Sequence, residues 1–427
     1  VEPDSTPHVD RETRSWPRLQ TVDLLQESDL RFGAPIDLPP LKVTFLTVMP
    51  SPYVQDLFAA IDSDPRIDLR VLYMEQEAPD THWGEQPMPA YASVLPGRWL
   101  GLSGARIHIN PAIRQELKNS PADLVVVVGY VGLTNQIAMR YLTKAIRPWL
   151  FWGEVPGLHD RGRVGKWLRR QAQKPLRNAR GIAGVGSHAA KAYRELLAGV
   201  SLSPTVFRNI PYHCDIKPFQ SAAEIRQASA ACRFLYCGQL IQRKGVDLLC
   251  DAFIRLVHSG ADVTLTLAGE GPLRQALENS LPADVARHVT FTGFRPVAEL
   301  PKLFAAHDVF LLPSRHDGWG VVVNQAVASG MPVIATQAVG ASNDLVVDGE
   351  NGFRIATASA DAIFAAMQRL ATAPVLVRTM GARSAELCDA ISLTQAVDDW
   401  HEFFIASLTA GNPSAAHRAG SSKKMTT

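Results

Sequence analysis

Short apolar runs recur along the chain, each bounded by glycine, proline or charged residues. Leu41–Val48 (LKVTFLTV), Leu69–Tyr73, Asp123–Gly129 (DLVVVVG), Trp149–Trp152, Gly181–Val185 and Thr205–Ile210 form one series. Cys232–Gly238, Val263–Gly269, Val289–Gly293, Val309–Leu312 and Pro332–Thr336 form a second. Runs this short, apolar at successive positions, predict strands buried on both faces, as in parallel sheets. Helices are predicted between them, carrying Leu57, Phe58 and Ile61, then over Leu133–Ile146, His188–Leu197 behind a Ser187 cap, and Val246–His258. Others follow over Ala358–Ala371, Leu376–Cys388 and Thr394–Leu408, the last with Trp400, Phe403 and Phe404. Strand and helix in alternation predict an α/β chain with two doubly wound sheets.

Other stretches lack such a pattern. Residues 1–40 are polar and proline-spotted and read as an extension, and 411–427 reads as a disordered tail. Glu75–Gly104 is loop-like and aromatic, with His82, Trp83, Tyr91 and Trp99. Lys217–Ala230 is polar and reads as the link between halves.

Composition narrows the function classes. A chain of 427 residues has room for two domains of ordinary size. Its net charge of +2 provides no long-range steering toward nucleic acid, so a basic surface has to be local. No apolar run is long enough to span a bilayer, and the first residues lack the charged-then-apolar pattern of a secretion signal. The five cysteines have no metal-ligand spacing and are odd in number, which fits buried free thiols in a reducing cytoplasm. The first strand is not followed by Gly-x-Gly-x-x-Gly, and Gly-x-x-x-x-Gly-Lys is absent, so nicotinamide and P-loop nucleotide chemistry lose support.

The chemistry concentrates in Asp308–Thr336, DVFLLPSRHDGWGVVVNQAVASGMPVIAT. A buried strand enters a turn, Pro313 to Gly320, and a helix and second strand follow. Glycines in the turn let backbone N–H groups approach a ligand, and the helix directs its positive end there. Asp317 and Gln325 are just over two helical turns apart and face one pocket.

This stretch resembles the signature of family 4 retaining glycosyltransferases, of the group 1 type. The resemblance implies a GT-B fold, two Rossmann-like domains facing a cleft, and is strong over residues 205–375 and looser over 41–204. It divides the chain into an acceptor-side domain, 41–210, a nucleotide-sugar-binding domain, 211–392, and a helix, 393–410, that packs back on the first. Lys244 matches the family's diphosphate-neutralising lysine, in Gly238-Gln239-x-x-x-Arg243-Lys244-Gly245. Gln239 replaces an arginine there, and Arg243 is a candidate to compensate. Phe294 and Arg295 match the position that holds the nucleotide base. Asp317 would hold the donor sugar, with the backbone of Gly318, Trp319, Gly320 and Val321 beside the diphosphate. Gln325 stands where the family usually has a ribose-contacting glutamate. Ser51 and Tyr53, in a Pro-rich first loop, and Glu154, at the end of the Trp149–Trp152 strand, are the acceptor-side candidates. Glu154 is also a candidate for the reacting centre.

A cation beside the leaving diphosphate lowers the barrier without a metal or cofactor. The donor expected is a UDP- or GDP-sugar, and the acceptor a glycan or lipid-linked saccharide in bacterial polysaccharide or glycolipid synthesis. Arg161, Arg163, Lys166, Arg169 and Arg170, with Trp167 and Leu168 embedded, read either as an anionic-membrane contact at the inner face of the cytoplasmic membrane or as a solvated helix face. Because Gln239 and Gln325 remove charge, a second reading stands beside the enzyme: a catalytically impaired relative that binds nucleotide or glycan. An epimerase or phosphorylase would need a carboxylate–His site or a pyridoxal lysine, and neither signature is found.

Overall fold

The computed structural model describes residues 39–77, 86–102, 105–156, 162–199, 206–227 and 229–410. The extension up to residue 38, the tail 411–427, His82, Trp83 and Arg161 lie outside the described residues. The described residues from Pro40 to Ala410 form one compact unit, built on two parallel sheets.

The first half supplies β1 (Leu41–Thr47), β2 (Ile67–Tyr73) and β3 (Ala92–Val94), then a separate antiparallel hairpin, β4 (Arg98–Leu102) and β5 (Ala105–Ile109). It continues with β6 (Leu124–Val128), β7 (Trp149–Gly153), β8 (Gly181–Gly184) and β9 (Val206–Asn209). Their order in the sheet is β3-β2-β1-β6-β7-β8-β9, parallel throughout. The second half supplies β10 (Cys232–Cys237), β11 (Val263–Ala268), β12 (Val289–Gly293), β13 (Val309–Leu312), β14 (Val333–Thr336) and β15 (Gly352–Ile355). They are ordered β12-β11-β10-β13-β14-β15, also parallel. Helices cover both faces, which is why β13 (VFLL) and nearly all of β6 (LVVVV) are buried.

In each sheet the chain winds outward, returns across its first strand and winds the other way. The reversal lies between β1 and β6 in one sheet and between β10 and β13 in the other. Loops leaving the carboxyl ends of strands at such a point splay apart and leave a crevice. The helix Leu393–Thr409 packs back on the first sheet, with Trp400 5.0 Å from the Phe45 ring of β1 and 5.1 Å from the Trp152 ring of β7.

Three expectations change. The stretch 75–104 is not simply loop: β3 extends the first sheet and β4 begins a hairpin, both too short to show a period. Ser187 is not the cap of its helix but the first residue inside Ser187–Leu196, and its hydroxyl donates to Asp344. Lys217–Ala223, within the supposed polar link, is a helix whose buried Phe219 meets Phe304 edge-on at 5.4 Å. The cysteines are as expected. Cys214, Cys237, Cys250 and Cys388 are buried free thiols and Cys232 is partly buried, and burial pushes Cys232, Cys237 and Cys250 up to about 12.

Candidate active site

Two loops leave the reversal point of the second sheet. One follows β10 through a turn at Gln242–Lys244 into the helix Val246–His258, and the other follows β13 through 313–320 into Val322–Ala328. They are stitched together. Arg315 N–H donates to the Arg243 carbonyl (2.8 Å), Arg243 Nη1 donates to the His316 carbonyl (3.1 Å), and the Arg315 guanidinium forks onto Asp247 (2.6 and 2.7 Å). Arg243 is thus turned toward the 313–320 loop. Lys244 Nζ ends this seam in an ion pair with Asp317 Oδ2. Because both side chains are nearly buried, little water screens the pair. Asp317 is held by its backbone too: its N–H donates to the Ala338 carbonyl, and its carbonyl accepts from Gly340 N–H (both 3.1 Å).

Both turn glycines have close neighbours where a Cβ would stand. A Cβ on Gly318 would lie 2.0 Å from Glu154 Oε2. Gly320 has φ of 86°, and a Cβ there would press on Leu312 and Val339 at 2.9 and 3.0 Å.

Glu154 reaches this point from the end of β7. Crowding by protein raises its carboxyl above the usual range although the side chain borders open cleft water, and the negative charge of Asp317 adds to the effect. A hydrogen bond from Tyr212 and the charges of Arg243 and Lys244 oppose the rise. The Tyr212 ring lies 5.2 Å from Tyr53 and 5.1 Å from Trp152. Burial, the largest cause, lifts Tyr53 to about 12 and holds Tyr212 well above its ordinary value, so both hydroxyls keep their protons near neutral pH. Ser51, 4% exposed, lies under the rim and hydrogen-bonds Tyr53.

A cavity of about 450 Å³ lies between these groups. Lys244, Asp317, Gln325, Gln239 and Arg243 line it, facing Glu154 and Tyr53. Gly238, Gly320 and Val321 line it too, as do Phe294 and Arg295 just past β12. The cavity thus brings together nearly all the residues singled out in the sequence. Gln325 is 6% exposed, and its Oε1 is buried without a hydrogen-bond partner among the described residues. Such an acceptor can take a bond from a ligand hydroxyl. Trp319 lines the cavity as well, and its side chain has a further part. Its indole is 2% exposed, donates to Asn324 Oδ1 (2.9 Å) and packs toward Gly186, so the ring anchors the loop.

Several contributors carried no signal in the sequence. Asn324 also donates to the Tyr212 carbonyl (3.2 Å), tying the Trp319 loop to the segment between β9 and the helix Lys217–Ala223. Asp56 accepts from Asp215 N–H (3.0 Å), and both line the cavity, as does Glu270. Asp344, on the helix Gly340–Leu345, accepts from Ser187 N–H (3.0 Å) and hydroxyl (3.1 Å) and from Asn209 Nδ2 (2.9 Å), linking the two layers beside the site. Asn324, Asp56 and Asp344 are each one polar residue without a motif around it.

Residues 231–373, which hold the Lys244 and Asp317 loops, match the family model described as "Glycosyl transferases group 1". This stretch belongs to the group 1 glycosyl transferases. A GDP-mannose-dependent alpha-(1-6)-phosphatidylinositol dimannoside mannosyltransferase of Mycobacterium tuberculosis is 30% identical over 267 residues, 57% of this chain and 65% of that protein. The alpha-D-kanosaminyltransferase of Streptomyces kanamyceticus is 27% identical over 233 residues, 52% of this chain and 58% of its own length. The alignments with these relatives cover less than two thirds of their length. Among solved structures, sucrose-phosphate synthase from Thermosynechococcus elongatus superposes with a TM-score of 0.66 at 19% identity, over 87% of this chain and all of that one. Anabaena HepE in complex with UDP gives 0.64 at 17%, over 86% of this chain and all of HepE. These neighbours are GT-B proteins, and the fold of this chain is GT-B.

Proposed function

We propose that the chain is a retaining, metal-independent hexosyltransferase. It moves a sugar from a nucleotide diphosphate, UDP or GDP, to a glycan or lipid-linked saccharide in bacterial polysaccharide or glycolipid synthesis. The observation that carries this is the Lys244–Asp317 pair at the reversal point of one sheet, opposite Glu154 from the other, across one cavity. The mannosyl- and kanosaminyltransferase relatives support it.

In this reading residues 41–210 hold the acceptor, 211–392 the donor, and 393–410 return to brace the first part. The donor diphosphate draws Lys244 toward itself, and the N–H groups near Gly318–Val321 share the charge as the bond to the sugar breaks. Asp317, released from that pair, accepts from the sugar hydroxyls. Gln325 accepts from a ribose hydroxyl, a neutral bond weaker by about 1–2 kcal/mol than one to a carboxylate. Glu154, beside the anomeric centre, steadies positive charge there and receives the acceptor. Ser51 holds Tyr53 in place along the acceptor path. Closure of the cleft keeps water from the activated sugar.

Among the described residues no single helix is long and apolar enough to cross a bilayer. We place the enzyme in the cytoplasm at the inner face of the membrane, with Arg163 and Arg170, which flank the outward side of their helix, toward anionic lipid; Lys166 and Arg169 lie on the other side, Arg169 near Tyr130.

One observation favours the second reading, a binding protein without turnover. The cation meant for the diphosphate is already paired with Asp317, and Gln239 and Gln325 bring no charge. The test is a screen of UDP-, GDP-, ADP- and dTDP-sugars without metal, following free nucleotide. Slow release from one donor, abolished in Lys244→Ala and Asp317→Ala, supports transfer. Saturable binding with no release, even with membrane lipid extract as acceptor, would reject it for the second reading.

A further inference from the structure

The helix Gly162–Gln173, which follows β7, is built inside out. Its inward side is polar: Gln136 Nε2 donates to the Ala172 carbonyl (2.8 Å), and Gln173 Nε2 donates to the Tyr130 hydroxyl (3.1 Å). Val164, Trp167 and Leu168, spaced i, i+3 and i+4, stand outward, 72, 57 and 55% exposed. A helix serving only its own core turns such a stripe inward. A contiguous apolar patch left in water marks a surface made to meet something else.

The next position of the same stripe, Gln171, lines a second cavity of about 360 Å³. Arg140, Lys144, Lys174 and Arg177 surround it, and no acidic residue does. Two residues past Lys144, Ile146 is 88% exposed with φ of 54°, a conformation β-branched residues rarely adopt. From Gly162 to Arg180 the sequence has seven arginines and lysines and neither Asp nor Glu.

We propose that this face docks on a bilayer. The Arg140–Lys144–Lys174–Arg177 cavity seats the phosphate of an anionic lipid headgroup, while Val164, Trp167, Leu168 and Ile146 enter the acyl boundary. The inference rests on the peripheral-membrane part of the proposed function and not on sugar transfer. Charge complementarity selects an anionic partner, and the adjoining apolar stripe selects a bilayer, because a polyanion in solution would engage the cations and leave the stripe wet. The arrangement also orients the enzyme. β7 and β8 are parallel neighbours, so their connecting helix runs from the cleft end of the sheet to its far end. A membrane along the stripe therefore borders the cleft on the Glu154 side, where a lipid-linked acceptor would enter.

The experiment is co-sedimentation of the full chain with phosphatidylcholine vesicles, with and without phosphatidylglycerol. Capture is expected only by the anionic vesicles. Lys144→Gln with Arg177→Gln should weaken it about fivefold per cation, and Trp167→Ser with Leu168→Ser about tenfold or more. All four side chains are exposed, and circular dichroism confirms that the variants fold. Unchanged capture in either pair, or equal capture by neutral vesicles, overturns the proposal. So does binding of inorganic phosphate without vesicle capture, which would assign the cavity to a soluble anion. Nucleotide release from the donor, measured without vesicles on the same variants, should equal that of the parent. A chain that docks yet never releases nucleotide sinks the transferase reading alone.

Discussion

Replacing Gly318 by alanine adds one methyl group and separates the fold from the chemistry. The new Cβ falls 2.0 Å from Glu154 Oε2 and 2.3 Å from its Cδ. Carbon and oxygen need more than 3 Å, so the carboxylate has to retreat by about 1 Å or more. It can do so because its other side is cleft water, and the backbone at Gly318 is not left-handed. The fold should therefore lose no more than about 1 kcal/mol. If Glu154 steadies the reacting centre, a displacement of this size lowers turnover about a hundredfold, or about 2.7 kcal/mol in the barrier. Donor affinity should fall far less than turnover, because the added methyl presses first on Glu154. Gly320→Ala is the control of opposite kind. Its Cβ meets the buried Leu312 and Val339 in left-handed backbone, so stability should fall by about 1–3 kcal/mol. The assays are nucleotide release for turnover, donor titration for affinity and urea unfolding for stability. Turnover at the parental rate in Gly318→Ala would refute the placement of Glu154 at the reacting centre. Unfolding of that variant would refute the idea that the carboxylate can swing aside.

Three further outcomes are expected. Gln325→Glu gives a donor ribose a charged acceptor and should tighten donor binding up to about tenfold, at about 1 kcal/mol of stability; weaker donor binding by calorimetry would remove Gln325 from the ribose site. Burial lowers the pKa of His213 from 6.5 to about 4. In acid the unfolded chain therefore takes a proton that the folded chain refuses, so this residue's contribution is complete above pH 6.5 and is lost as pH falls toward 4, by up to about 3 kcal/mol. His213→Gln should flatten the unfolding free energy between pH 6.5 and 5, and an unchanged slope would mean other groups set it. Trp400→Ala empties the centre of the Phe45–Trp152–Phe404 cluster and should cost about 3–5 kcal/mol in urea unfolding. Trp400→Phe, which removes an indole N–H buried without a partner among the described residues, should cost less.

The sequence by itself determined the strands, because residues buried on both faces of a parallel sheet have to be apolar in succession. LVVVV of β6 and VFLL of β13 carry that signature with no help from the rest of the chain. It also determined the loop chemistry within each motif, such as the glycines around Trp319. The short β3 and the β4–β5 hairpin were not legible, because a few residues cannot establish a period.

Tertiary structure decided what no local pattern encodes. Glu154, Tyr212, Lys244 and Asp317 come from four separate segments and meet only because the two sheets present their carboxyl ends to one cavity. Asp344 linking the layers through Ser187 and Asn209 is likewise invisible in isolation. The sequence shows an apolar stripe on the helix Gly162–Gln173, but not which side of it faces the core. Packing settled that, because Gln136, Gln173 and Tyr130 take up the inward polar contacts and leave Val164, Trp167 and Leu168 outside. Periodicity records that a helix has two faces, and only the neighbours it meets assign them.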